Sequence, residues 1–175
     1  MNINFRLKSL HDSEFTKYFE MSNAELEKIG VLKMTVDQFP GFPCRVSLED
    51  AKPGEEVILL PYLHHDVNSP YRASGPIFVR KIAKTAYLAV NEIPKMFHHR
   101  LLSIRGYNQT GMMQDAAVVE GAALKEQLIR FFENQEISYI HIHNAKPGCY
   151  GCLVEKSINK IHSLDYNNPA VIKIL

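Results

Sequence analysis

Ala122-Ala-Leu-Lys-Glu-Gln-Leu-Ile-Arg-Phe-Phe-Glu-Asn-Gln-Glu-Ile-Ser-Tyr-Ile-His-Ile-His-Asn144 changes its hydrophobic period from one end to the other. From Ala122 to Glu133, Leu124, Leu128 and Phe131 recur at helical spacing. Glu126 stands four residues before Arg130, the spacing of a helix-surface ion pair. Asn134 suits the end of that helix. From Ile137 to Asn144 the period drops to two, so that Ile140 and Ile142 share one face of a strand and His141 and His143 the other.

Outward from this stretch, strands follow strands. Glu56 to His64 is apolar on both faces, as in a strand covered on both sides, although Pro61 cannot donate to a ladder and predicts an interruption or an edge there. Cys44 to Leu48 alternates and is read as a strand. Pro76 to Ile82, Ala86 to Val90, Leu101 to Tyr107 and Tyr150 to Glu155 follow. Ile93 to Arg100 fits neither period. Two short helices are expected within residues 12–30. Ser13 caps the first, with Phe15 and Phe19 on one face, and Ser22-Asn-Ala-Glu25 is a capping box for the second, which carries Leu26 and Ile29 and stops at Gly30. After Asn167-Asn-Pro169, the apolar tail Val171 to Leu175 reads as an edge strand. Few helices separate these strands, so the expected class is α+β with a mostly antiparallel sheet, two short N-terminal helices and one longer helix before the His-x-His strand.

The 175 residues make one domain, 1–175, with no repeat and no linker. Hydrophobic residues are 46% and charged residues 22%, which excludes a disordered chain, collagen or a disulfide scaffold. The formal net charge of +1 gives no reason to expect nucleic acid or an acidic membrane surface as a partner. Three cysteines, an odd number, and the lack of an apolar N-terminal run predict a reduced, cytoplasmic protein. No apolar stretch approaches the ~20 residues of a membrane helix.

His141 and His143 form the sharpest chemical signal, since two imidazoles on one strand face can share a metal or flank an anion. The pair is similar to the cupin motif. The glutamate that motif needs a few residues later is missing, however, and Pro147 and Gly148 stand there. His64-His65-Asp66 ends a strand and reads as the start of a polar loop. Cys149 and Cys152 have CxxC spacing without the following helix that would stabilise a thiolate. Arg45, Arg72, Arg105 and Lys146 each lie in polar or turn-rich stretches, where a guanidinium fork matches carboxylate or phosphate. No phosphate-binding glycine loop and no nucleophile elbow is present.

Longer strings carry a resemblance. Phe42-Pro-Cys-Arg-Val-Ser-Leu-Glu-Asp-Ala51, Pro53-Gly-Glu55, His65, Ser69-Pro-Tyr-Arg-Ala-Ser-Gly-Pro-Ile-Phe-Val-Arg80, Arg100-Leu-Leu-Ser-Ile-Arg105, Gly111-Met-Met113 and His143-Asn-Ala-Lys-Pro-Gly-Cys-Tyr150 resemble the family called domain of unknown function 1203. The resemblance covers a core of about 37–154 and leaves the tail 158–175 outside. It implies no activity. Its motif positions are Cys44, Arg45, His65, Tyr71, Arg72, Arg105, His143, Asn144 and Cys149, and specific polar residues on loops point to function more often than to packing.

The expectation is a pocket for a small anionic ligand where the Ser69–Gly75 loop meets the end of the His-x-His strand. Arg45, Arg72, Tyr71, Arg105 and Asn144 bind in this picture, His143 is the acid/base group and Cys149 the nucleophile. The alternative is a metal site on His141 and His143, with His64, His65 or a cysteine as a further ligand. A non-catalytic interaction protein is the third reading. The residues do not identify a cofactor or an oligomeric state.

Overall fold

The structure, a computed structural model, describes residues 3–157, so the tail strand expected at Val171–Leu175 lies outside the described residues. Five strands form one sheet in the order β1 (Phe5–Lys8), β8 (Tyr150–Lys156), β7 (Tyr139–Asn144), β5 (Leu101–Tyr107) and β6 (Met113–Glu120). Three more form a second, in the order β2 (Leu32–Thr35), β3 (Glu56–His65) and β4 (Ala73–Arg80). Every strand pair is antiparallel. The helices are α1 (Thr16–Glu20), α2 (Asn23–Lys28), α3 (Lys95–His98) and the longer α4 (Leu124–Glu133). The α+β class is as expected.

One apolar stripe fixes the position of β7. Leu124, Leu128, Phe131 and Phe132 of α4 pack on Leu102, Ile104, Ile140, Ile142 and Val154 of the five-stranded sheet. Each buried side chain of this kind contributes about 1.5–3 kcal/mol. With Ile140 and Ile142 committed to that core, strand alternation sends His141 and His143 to the opposite face, where both are almost fully buried. A second core joins Ile58, Leu60, Ile77 and Val79 of the three-stranded sheet to Phe15 and Leu26, and it includes Tyr150 from β8. The histidine face of the large sheet therefore looks toward the small one.

Several elements differ from expectation. Cys44 to Leu48 is a turn held by single bridges, Pro43 with Asp50 and Cys44 with Phe78, and Leu48 takes φ 52°. The turn buries Cys44, Val46 and Leu48, and Arg45 between them, while Ser47 is half-buried. Ala86 to Val90 contributes one bridge, Tyr87 with Lys8. Ile93 to Arg100 contains α3. The first N-terminal turn is capped by His11, which accepts from the Ser13 amide, and not by Ser13. Ser22 and Glu25 do form the capping box of α2, and Gly30 closes it at φ 71°. Pro61 sits in the central strand of the small sheet. Its partner is Pro76, and β2 reaches no further than Leu59, so Pro61 lies past the end of β2. Among the described residues no helix is long and apolar enough to cross a membrane.

Candidate functional site

Two β-bulges gather the rings. In β3, Leu63 pairs with Ser74 and His65 with Ala73, so His64 is an extra residue on its strand. A bulge lets two successive side chains face one partner strand. His64 and His65 accordingly both reach His141, with ring centroids 5.9 and 4.8 Å away. In β8, Ile142 pairs with Cys152 but His143 with Tyr150, which makes Gly151 the extra residue. Cys152 thus joins the α4 core while Tyr150, two positions earlier, joins the histidine face. A Cβ at Gly151 would lie 2.9 Å from the Ile142 carbonyl and 3.1 Å from Phe97, so the bulge needs glycine.

His64, His141 and His143 each offer one ring nitrogen, and these three atoms lie within 4.8 Å of one another. The His64 ring stacks on Tyr150 at 4.9 Å and 4°. His143 Nδ1 donates to the Gly148 carbonyl at 2.9 Å, which leaves the lone pair on Nε2. That Nε2, with Nδ1 of His64 and Nδ1 of His141, is buried and has no hydrogen-bond partner among the described residues. Burial holds all three rings neutral. Desolvation, then His65 and Arg105, brings His64 down to about 4. Desolvation brings His143 to about 4 against the opposing pull of the Gly148 hydrogen bond, with Arg105 next. His141 falls lower still through desolvation and the neighbouring histidines. Neutral imidazole is the form that ligates a metal.

The surrounding groups are fixed differently. His65 donates from Nδ1 to the Tyr71 carbonyl and accepts at Nε2 from the Tyr139 hydroxyl, both at 2.8 Å, so neither nitrogen is free to ligate. Arg105 stands opposite His141 across the β5–β7 ladder, on the same face. The Tyr71 ring lies 6.2 Å from Tyr107, which in turn packs 5.3 Å from His141. Tyr107, Tyr139 and Tyr150 did not stand out in the sequence. Only the period-two alternation from His141 back to Tyr139, and from Tyr107 back to Arg105, could have placed two of them here.

The expected site residues fall into three places. His141, His143 and Arg105 meet at the histidine cluster, with Tyr71 at its edge. Arg45, Asn144 and Cys149 line a different space, a cavity of about 620 Å³. Arg72 is not among the residues lining that cavity. Its guanidinium donates to Asp66 at 2.8 and 3.0 Å on an exposed loop. The Ser69–Gly75 stretch therefore touches the histidine cluster through the Tyr71 carbonyl and ring, while Arg72 points to a surface partner.

A family model described as a protein of unknown function, DUF1203, matches residues 41–156. The chain belongs to the DUF1203 family. No curated protein and no solved structure matches it. The matched region takes in β3, β4, β5, β7 and β8, and so every member of the histidine cluster and every expected site residue of this DUF1203 chain.

Proposed function

We propose that this DUF1203 protein binds one divalent transition-metal ion, zinc in the first instance, through His64, His141 and His143. The observation that carries the reading is that three neutral imidazoles bring a ring nitrogen each within 4.8 Å of one another, and that each of the three also has a buried ring nitrogen with no hydrogen-bond partner among the described residues. One buried polar group without a hydrogen bond costs about 1–3 kcal/mol, and three at one point are hard to account for unless something satisfies them together. An ion does so. Zinc holds nitrogen at about 2.0–2.1 Å, which sets ligand nitrogens about 3.4 Å apart in a tetrahedron. The ligand atoms lie within 4.8 Å of one another, so binding would draw them together by up to about 1.4 Å. The His143 to Gly148 hydrogen bond supports the reading too, because ligating imidazoles characteristically donate their other N–H to a carbonyl or carboxylate.

Three protein nitrogens leave a fourth position, the pattern of catalytic rather than structural zinc. Arg105, beside His141, supports a small anion in that position, a hydroxide or a carboxylate. This keeps the Arg- and His-lined anion site, now centred on the metal. The three free thiols fit a reducing compartment, and the cytoplasm is the proposed location.

The test is titration of tag-free, chelator-treated protein with Co(II) and Zn(II). Binding of one equivalent with the visible absorption of tetrahedral cobalt, abolished in His141→Ala and His143→Ala but not in the exposed His98→Ala, is the expected result. Less than ~0.2 equivalents bound to the wild-type protein removes the proposal.

A further inference from the structure

The cavity lined by Arg45 is a second feature that the metal centre does not use. Arg45 is 2% exposed, yet among the described residues it forms no ion pair. Its Nε donates to the Tyr150 carbonyl at 2.7 Å and its Nη1 to the Pro43 carbonyl. A guanidinium has five N–H donors, so three are left over. Nη2 makes no hydrogen bond among the described residues, and Arg45 lines the cavity. A buried cation with neither counter-charge nor full hydrogen bonding is costly. Lys146 and Asn144 line the same cavity. Arg100 also lines the cavity, but Asp50 already neutralises it in a bidentate pair. Against Arg45 and Lys146 stands one acid, Glu120, which leaves one formal positive charge. The rest of the wall is largely apolar, with Leu59, Phe78 and Pro147.

We infer that this cavity binds a singly charged organic carboxylate with an apolar body, its carboxylate on the free edge of Arg45 and its body against Phe78 and Leu59. The free end of a guanidinium presents two parallel donors at the spacing of carboxylate oxygens. One anion supplies both the missing counter-charge and the missing acceptors, and a volume of about 620 Å³ lies within the range of small-molecule sites. Inorganic phosphate, compact and more highly charged, leaves the apolar wall bare.

Cys149 reports on the site. It lines the cavity and is half-buried, whereas Cys44 and Cys152 are buried within the protein. The experiment measures iodoacetamide alkylation of Cys149 by peptide mass spectrometry, in protein stripped of metal with chelator, so that it stands apart from the metal reading. The probes are 4-phenylbutyrate and octanoate, with 4-phenylbutanol and inorganic phosphate as controls. Saturable protection by the carboxylates is expected, with the alcohol and phosphate at least about tenfold weaker, the factor of one charge-assisted hydrogen bond. Lys146→Glu, an exposed change that leaves the fold intact, weakens protection about tenfold. Arg45→Met abolishes it in protein that melts cooperatively. Absence of saturable protection at millimolar carboxylate, equal protection by the alcohol, or unchanged affinity in Lys146→Glu overturns the inference.

Discussion

Replacing His141 by phenylalanine tests whether the histidine cluster is built for a ligand or for packing. His141 is 4% exposed, and its Nδ1 is buried without a partner. In metal-free protein that atom carries a desolvation cost of about 1–3 kcal/mol with nothing to offset it. Phenylalanine removes the polar atom and keeps a ring against Tyr107, Tyr139 and Tyr150, at present 5.3, 5.6 and 5.2 Å from the His141 ring. Its slightly larger volume takes back part of the gain, so metal-free His141→Phe is expected to be more stable than wild type by about 1–2 kcal/mol. For a chain of this length that raises Tm by roughly 2–8 °C.

Metal reverses the order. An ion at 100 times its dissociation constant stabilises the wild-type protein by about 2.7 kcal/mol, or roughly 5–11 °C, and does nothing for the variant. Differential scanning calorimetry in chelator and then across a zinc series should show the two melting curves crossing. A variant less stable than wild type in chelator would refute the reasoning, because it would mean that the apo histidines already make a stabilising set of contacts. A crossing with no metal-dependent shift in wild type is not possible, so the two arms check each other.

Further outcomes follow from the same contacts. Gly151→Ala drives a Cβ toward the Ile142 carbonyl and Phe97 and should lower stability by about 1–3 kcal/mol in urea denaturation while weakening zinc binding, since the bulge that aims Tyr150 is lost. Gly121→Ala should be worse. Its Cβ would overlap the Phe97 carbonyl, a backbone atom, and little folded protein is expected on expression at 37 °C. Glu55, hydrogen-bonded at both oxygens by Arg80, has its carboxyl held below the usual carboxylate range chiefly by that contact. A depressed carboxyl contributes stability above its unfolded pKa and loses it as the pH falls through the folded one, so stability should decline as the pH drops below about 4.5. Glu55→Gln should cost about 1–2 kcal/mol at pH 7 and flatten that decline, measured by urea midpoints across the acid range.

What the sequence showed and hid divides along a physical line. Ile140 and Ile142 against His141 and His143 were readable, because strand alternation is local and one apolar face must meet α4. Leu101–Tyr107 was readable for the same reason, with Leu102 and Ile104 inward. β6 escaped notice, since it is an edge strand on which Val119 is the buried residue and Val118 is exposed. Cys44 to Leu48 misled in the opposite way, because its sequence alternates apolar and polar residues as a strand does, yet the segment is a turn that buries Arg45 along with Cys44, Val46 and Leu48. His64 is the instructive residue. On a regular strand His64 and His65 point to opposite faces, and nothing in Leu63-His-His-Asp66 announces an inserted residue. The insertion becomes visible only as a count of residues between two ladder pairs, Leu63 with Ser74 and His65 with Ala73, which is a property of two strands at once. The same holds at Gly151, where the glycine is legible but the reason for it, the Ile142 carbonyl, is on the neighbouring strand. A site assembled by bulges is thus invisible to any reading of one strand at a time. The two-residue spacing of His141 and His143 marked half of the centre, and the irregularity of β3 supplied the third nitrogen.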